Sequence, residues 1–67
     1  MINIELNGAP HQVPLGHKLD ELVASLDLAH QALALAVNRE VVPRQQWAGR
    51  RLAPGDQVDI VRAIGGG

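Results

Sequence analysis

The chain has 67 residues, 46% of them hydrophobic, with six Lys and Arg against seven Asp and Glu for a net charge of −1, and it contains no cysteine. That length supports one small domain, which hides only about 60% of the surface its unfolded chain exposes, and the near-neutral charge argues against nucleic acid as the main partner. No apolar run approaches bilayer length, no basic-then-apolar leader opens the chain, and the lack of cysteine suits a reducing compartment, so a cytoplasmic location without membrane contact is expected.

Ile2, Ile4 and Leu6 alternate with Asn3 and Glu5, a period of two that predicts a strand with one buried face. Asn7-Gly8 is a dipeptide suited to a two-residue hairpin turn, and Ala9 to Val13 returns antiparallel as a second strand. Pro10 and Pro14 confine that return strand to a sheet edge. After Gly16 the period changes: Leu19, Leu22, Val23 and Leu26 fall at i, i+3, i+4 and i+7, the stripe of an amphipathic helix. Asp20 and Glu21 suit the positive end of its dipole, whereas His17 is a poor substitute for a Ser, Thr or Asp cap.

The end of this helix is open to two readings. Ala29, Leu33 and Val37 would continue the stripe, and neither Gly nor Pro interrupts the chain between Lys18 and Asn38. Against one long helix, Leu33, Leu35 and Val37 alternate with small alanines, which favours a strand from about Ala34 to Asn38 followed by a turn and a short strand at Val41-Val42. Pro43 stops that strand, and Arg44 to Trp47 reads as one helical turn that folds Trp47, the sole aromatic residue besides the histidines, over an aliphatic core. Pro54-Gly55 fits the centre of a type II turn, after which Val58, Ile60 and Ile64 share one face of a last strand.

Gly65-Gly66-Gly67 follow that strand directly. Glycines there pack nothing, so the run is either a plain flexible end or a thread for a narrow channel. An extended segment from Ile64 to Gly67 reaches roughly 13 Å, enough to carry a terminal carboxylate into a partner's active site. The rest of the inventory offers little chemistry. There is no Cys, Thr or Tyr, and Ser25, the only hydroxyl, lies on the helix without a neighbouring His. His11, His17 and His30 lack the spacing of a metal site, so no metal is expected. Asp56 and Asp59 read as ordinary surface carboxylates. Arg39, Arg44, Arg50 and Arg51 read as solvated loop arginines, with a steering patch as the other possibility. An apolar patch around Val61 and Ala63 is a competing docking surface.

Two strands, a helix, two short strands, a turn and a final strand make an α+β, β-grasp (ubiquitin-like) arrangement. It implies a mixed sheet of four to five strands, one main helix across one face, and a flexible glycine tail. The first and last strands can lie parallel because the helix-containing segment supplies the crossover. The segments Ile2-Asn3-Ile4-Glu5-Leu6-Asn7-Gly8, Leu35-Ala36-Val37-Asn38, Val42-Pro43-Arg44-Gln45-Gln46-Trp47 and Pro54-Gly55-Asp56-Gln57-Val58-Asp59-Ile60-Val61, with the glycine terminus, resemble the ThiS family, the sulfur carriers of thiamine (thiazole) biosynthesis. The resemblance spans essentially the whole chain and implies one sulfur-carrier domain over residues 1–67, with 65–67 as its reactive tail. Val-Pro-Arg-x-x-Trp discriminates best, since the Gly-Asp turn and terminal glycines occur across many β-grasp carriers. The family's minimal ending is a glycine pair, so Gly66 and Gly67 match it and Gly65 adds reach.

The resemblance implies a protein co-substrate, not an enzyme. A ThiF-like partner would spend ATP and magnesium to adenylate the Gly67 carboxylate, and the chain itself would bind no cofactor. A persulfide-supplying protein such as a cysteine desulfurase would then convert Gly67 to a thiocarboxylate, and a ThiG-like thiazole synthase would take the sulfur. Gly65 and Gly66 would thread into the partner's active site. Other readings are a carrier similar to MoaD or one serving tRNA thiolation, a ubiquitin-like modifier, and a non-reactive β-grasp interaction module.

Overall fold

Alternation of buried Ile2 and Ile4 with exposed Asn3 and Glu5 becomes the first strand, β1 (Ile2–Leu6), in a computed structural model that describes residues 1–28 and 31–62. Asn7 and Gly8 take φ of 51° and 82°, the pair of positive angles a two-residue hairpin of matching twist requires. The return strand β2 (Ala9–Val13) pairs antiparallel from Leu6↔Ala9 to Ile2↔Val13. It occupies the sheet edge, the position that Pro10 demands.

The helix α1 (Leu19–Ser25) buries Leu19, Leu22 and Val23. Its N-cap is Lys18, not His17; the Lys18 N–H donates to Glu21 Oε1 at 3.1 Å, so a carboxylate in the first turn secures the helix start. Seven residues are too few to be helical in isolation, and packing holds them in place. The long-helix reading fails at Asp27, which sits in the left-handed region at φ 60°. The Asp27 N–H donates to Ala24 O at 3.0 Å and the Leu28 N–H to Val23 O at 3.0 Å, the paired bonds of a Schellman ending with Asp where Gly is usual. Ala29 and His30 lie outside the described residues.

The next strand, β3, runs Leu33–Val37, one residue earlier than the alternation suggests, because Asn38 and Arg39 (φ 52° and 69°) form a second tight turn into β4 (Glu40–Val42). The single turn expected at Arg44 to Trp47 is a longer 3₁₀ helix, Arg44–Gly49. Trp47 is buried, and its indole N–H donates to Val42 O at 2.8 Å, which resolves the polar end of an otherwise apolar side chain. At Pro54-Gly55 the chain turns with Gly55 at φ 83° and the Asp56 N–H bonded to Ala53 O, then enters β5 (Gln57–Arg62).

The sheet order is β2-β1-β5-β3-β4, with β1 and β5 parallel and every other pair antiparallel. This five-stranded mixed sheet with one α-helix on one face is the expected β-grasp. Leu19, Leu22 and Val23 of α1 meet Ile2, Ile4, Leu35, Val37 and Val58 of the sheet, and Trp47 and Leu52 close the cluster. The opposite face, with Asn3, Glu5, Asp59 and Val61, is exposed.

Candidate functional site

The final strand is the last described element before the glycines. β5 is central: β3 flanks it antiparallel from Val37↔Val58 to Leu33↔Arg62, and β1 flanks it parallel at Glu5↔Gln57 and Leu6↔Val58. Gly65, Gly66 and Gly67, together with Ala63 and Ile64, lie outside the described residues. The described part of the site is therefore the base from which the glycines depart. Five residues, Ala63 to Gly67, follow Arg62, so the last of them lies at most about 17 Å beyond that base.

Two asparagines from the turns at Asn7-Gly8 and Asn38-Arg39 fix β5. Asn7 Oδ1 accepts the Ile60 N–H at 2.8 Å, continuing the β1 ladder with a side chain after the β1 backbone has turned away. Asn38 Oδ1 accepts the Gln57 N–H at 3.0 Å, while its own N–H donates to Gln57 O at 2.8 Å. Asp56 completes the clamp. Contrary to the surface role expected from its spacing, it is 8% exposed. Its carboxylate accepts from Asn38 Nδ2 at 3.1 Å and from the Ala53 N–H at 2.9 Å, with Arg50 at 3.9 Å. Both oxygens are thus matched by donors, which is what allows a carboxylate to be buried. Asp59 is exposed, so the two aspartates share no site. The sequence signal for the clamp was present in the Asn-x turns and the Gly-Asp step, but neither names the distant partner.

Two of the loop arginines make contacts within the domain. Arg44 donates to Gln31 O at 2.9 Å and lies 4.7 Å from the centroid of the Trp47 ring, and Arg50 donates to Arg51 O at 2.7 Å beside Asp56. Val61 is 62% exposed and Val41 75% exposed; with Ala34, the register partner of Val61, and Ala36, the partner of Val41, they form an apolar strip on the open sheet face. Ala63, the other half of the expected patch, lies outside the described residues. The Ser25 hydroxyl donates to Leu22 O at 2.8 Å, the local bond of a helical serine. Among the described residues no three His, Cys, Asp or Glu side chains are grouped to hold a metal ion, and no helix is long and apolar enough to cross a membrane.

A sequence model of the ThiS family matches residues 3–67. The chain is 36% identical over 66 residues to the sulfur carrier protein ThiS of Escherichia coli, with 98% of this chain and the whole of that protein covered. It is also 36% identical over 66 residues to part of a thiazole synthase of Magnetococcus marinus, of which it spans one fifth. Among solved structures, the crystal structure of the thiamine biosynthesis protein ThiS from Geobacter metallireducens superposes with a TM-score of 0.85 at 28% identity, covering 98% of this chain and all of that one. A solution structure of the thiamine biosynthesis protein from the same organism gives 0.80 at 28% identity over 98% of this chain and 88% of that chain. A β-grasp whose last strand is clamped at its base and is followed in sequence by glycines, matched over 98% of its length by the whole of the Escherichia coli protein and of the Geobacter metallireducens crystal structure, places the chain in the ThiS family of sulfur carrier proteins of thiamine biosynthesis.

Proposed function

We infer that this sulfur carrier holds its cargo as a thiocarboxylate on Gly67. The observation that carries the reading is the alignment with the Escherichia coli sulfur carrier over that protein's entire length, within a family match that continues through the three glycines. A carboxylate is a poor acyl donor because its leaving group would be oxide. A ThiF-like partner therefore spends ATP, with magnesium, to form an acyl adenylate at Gly67 and release pyrophosphate. The terminal sulfur of a protein persulfide, supplied by a cysteine desulfurase or similar protein, displaces AMP. A thiol then cleaves the sulfur–sulfur bond, leaving the thiocarboxylate.

The acceptor is a thiazole synthase, a reading supported by the Magnetococcus marinus protein of that name, one fifth of which aligns with this chain. Gly65 and Gly66 let the end pass a constriction and lie against bound nucleotide, since they bring no Cβ. The chain supplies no catalytic group and binds neither ATP nor magnesium itself; its lack of cysteine suits the cytoplasm and removes an internal thiol that would intercept the activated end. The test is the intact mass of the protein after incubation with ATP, magnesium, a ThiF-like enzyme and a persulfide donor. Replacement of one oxygen by sulfur, lost when Gly65 to Gly67 are deleted, is expected. An unchanged mass, with a control carrier converted in parallel, overturns the reading.

A further inference from the structure

β5 outruns its parallel neighbour. Its pairing with β3 continues to Arg62, but its pairing with β1 stops at Leu6↔Val58, after which only the Asn7 side chain reaches it, at the Ile60 N–H. The direction of each backbone group follows from the bonds already made. The Asn7 N–H donates to Val58 O and the Ile60 N–H is bonded from the Asn7 side, so even-numbered residues of β5 turn their N–H and C=O toward β1. The Asn38 N–H donates to Gln57 O, so odd-numbered residues turn theirs toward β3. Ile60 C=O and Arg62 N–H therefore face the side that β1 has vacated, and no described residue pairs with them. The result is a half-open edge two residues long, set between a hairpin turn and the first undescribed residue of the tail.

We propose that this edge receives an extended backbone segment of the protein that adenylates the tail, adding a short strand beside Ile60–Arg62. The occupant is argued from position: the carboxylate lies no further than about 17 Å from Arg62, so a partner that takes it into an active site comes close to this edge. Backbone pairing is also the recognition an unpaired strand edge offers, and it needs no particular side chain. Asn7 marks the inner limit of the slot by satisfying the Ile60 N–H. One or two hydrogen bonds give little affinity but fix how far the chain end advances, so this edge sets the register of the tail. The inference rests on the sulfur-carrier reading above.

Arg62→Pro removes the N–H that faces the open edge and leaves the odd-numbered bonds to β3 in place, as proline tolerates an edge position. Arg62→Ala controls for the charge. With wild-type protein first shown to gain sulfur, Arg62→Pro is expected to lower kcat/KM for ATP-dependent adenylation about tenfold below Arg62→Ala, the effect of losing one hydrogen bond. Equal rates for the two variants overturn the proposal, whereas failure of wild type to gain sulfur overturns the function instead. Should Arg62→Pro fail to fold, hydrogen exchange on the wild-type complex decides: the Arg62 amide gains protection on binding the ThiF-like enzyme if the strand is added, and exchanges as in the free protein if it is not.

Discussion

Asn38 and Asp56 meet at 3.1 Å across 18 residues of sequence, and through them the β3–β4 turn is tied to the start of the strand that bears the tail. Asn38 also holds both the N–H and the C=O of Gln57, so one side chain and its backbone set the angle at which β5 begins. Asp56→Ala leaves Asn38 Nδ2 and the Ala53 N–H without an acceptor and should cost about 1–3 kcal/mol. Urea unfolding checks this, and an Asn38→Ala, Asp56→Ala double variant should lose less than the sum of the single losses because the two act on one contact. Additive losses would show that the contact is not a unit.

Asp27 occupies a left-handed position that glycine fills at no steric cost. Asp27→Gly is therefore expected to raise stability by up to about 1 kcal/mol, and Asp27→Val to lower it by at least as much. A thermal melt in which Asp27→Gly is the less stable would mean that the Asp side chain contributes more than its backbone strain costs.

Trp47 is the only Trp and its environment is apolar, so its fluorescence reports folding directly. Trp47→Ala is expected to cost about 3–5 kcal/mol, enough to unfold much of a domain whose whole stability is about 3–10 kcal/mol. Trp47→Phe keeps most of the volume but leaves Val42 O without its indole donor, and should cost less. Circular dichroism on both variants checks the order; equal losses would place the effect in the hydrogen bond instead of the packing.

On the proposed threading role, Gly66→Ala should impair adenylation, because a Cβ there would meet the partner's channel, while leaving the melting temperature unchanged. Pyrophosphate exchange driven by the ThiF-like enzyme is the measurement. An unchanged rate would count against the threading role of Gly66.

Much of the architecture was legible without coordinates because it is local. A period of two fixes which face of β1 is buried, Asn7-Gly8 and Pro54-Gly55 supply the only backbone angles their turns accept, and Pro10 excludes β2 from the sheet interior. Other features depend on groups that the chain brings together only when folded. An aspartate in the left-handed region ends α1 where a sequence reader looks for glycine, the buried state of Asp56 depends on donors from Asn38 and Ala53, and the clamp from Asn7 to Ile60 joins residues 53 apart. The open edge beyond Val58 is of the same kind, since it arises from the unequal lengths of two pairings, neither of which is written in β5 itself. Sequence alone thus determined the strands, the turns and the family, through periodicity and steric limits on single residues; tertiary structure decided where the helix stops, which carboxylate is buried and which edge of the last strand stays open, because each is settled by hydrogen bonds between distant parts of the chain.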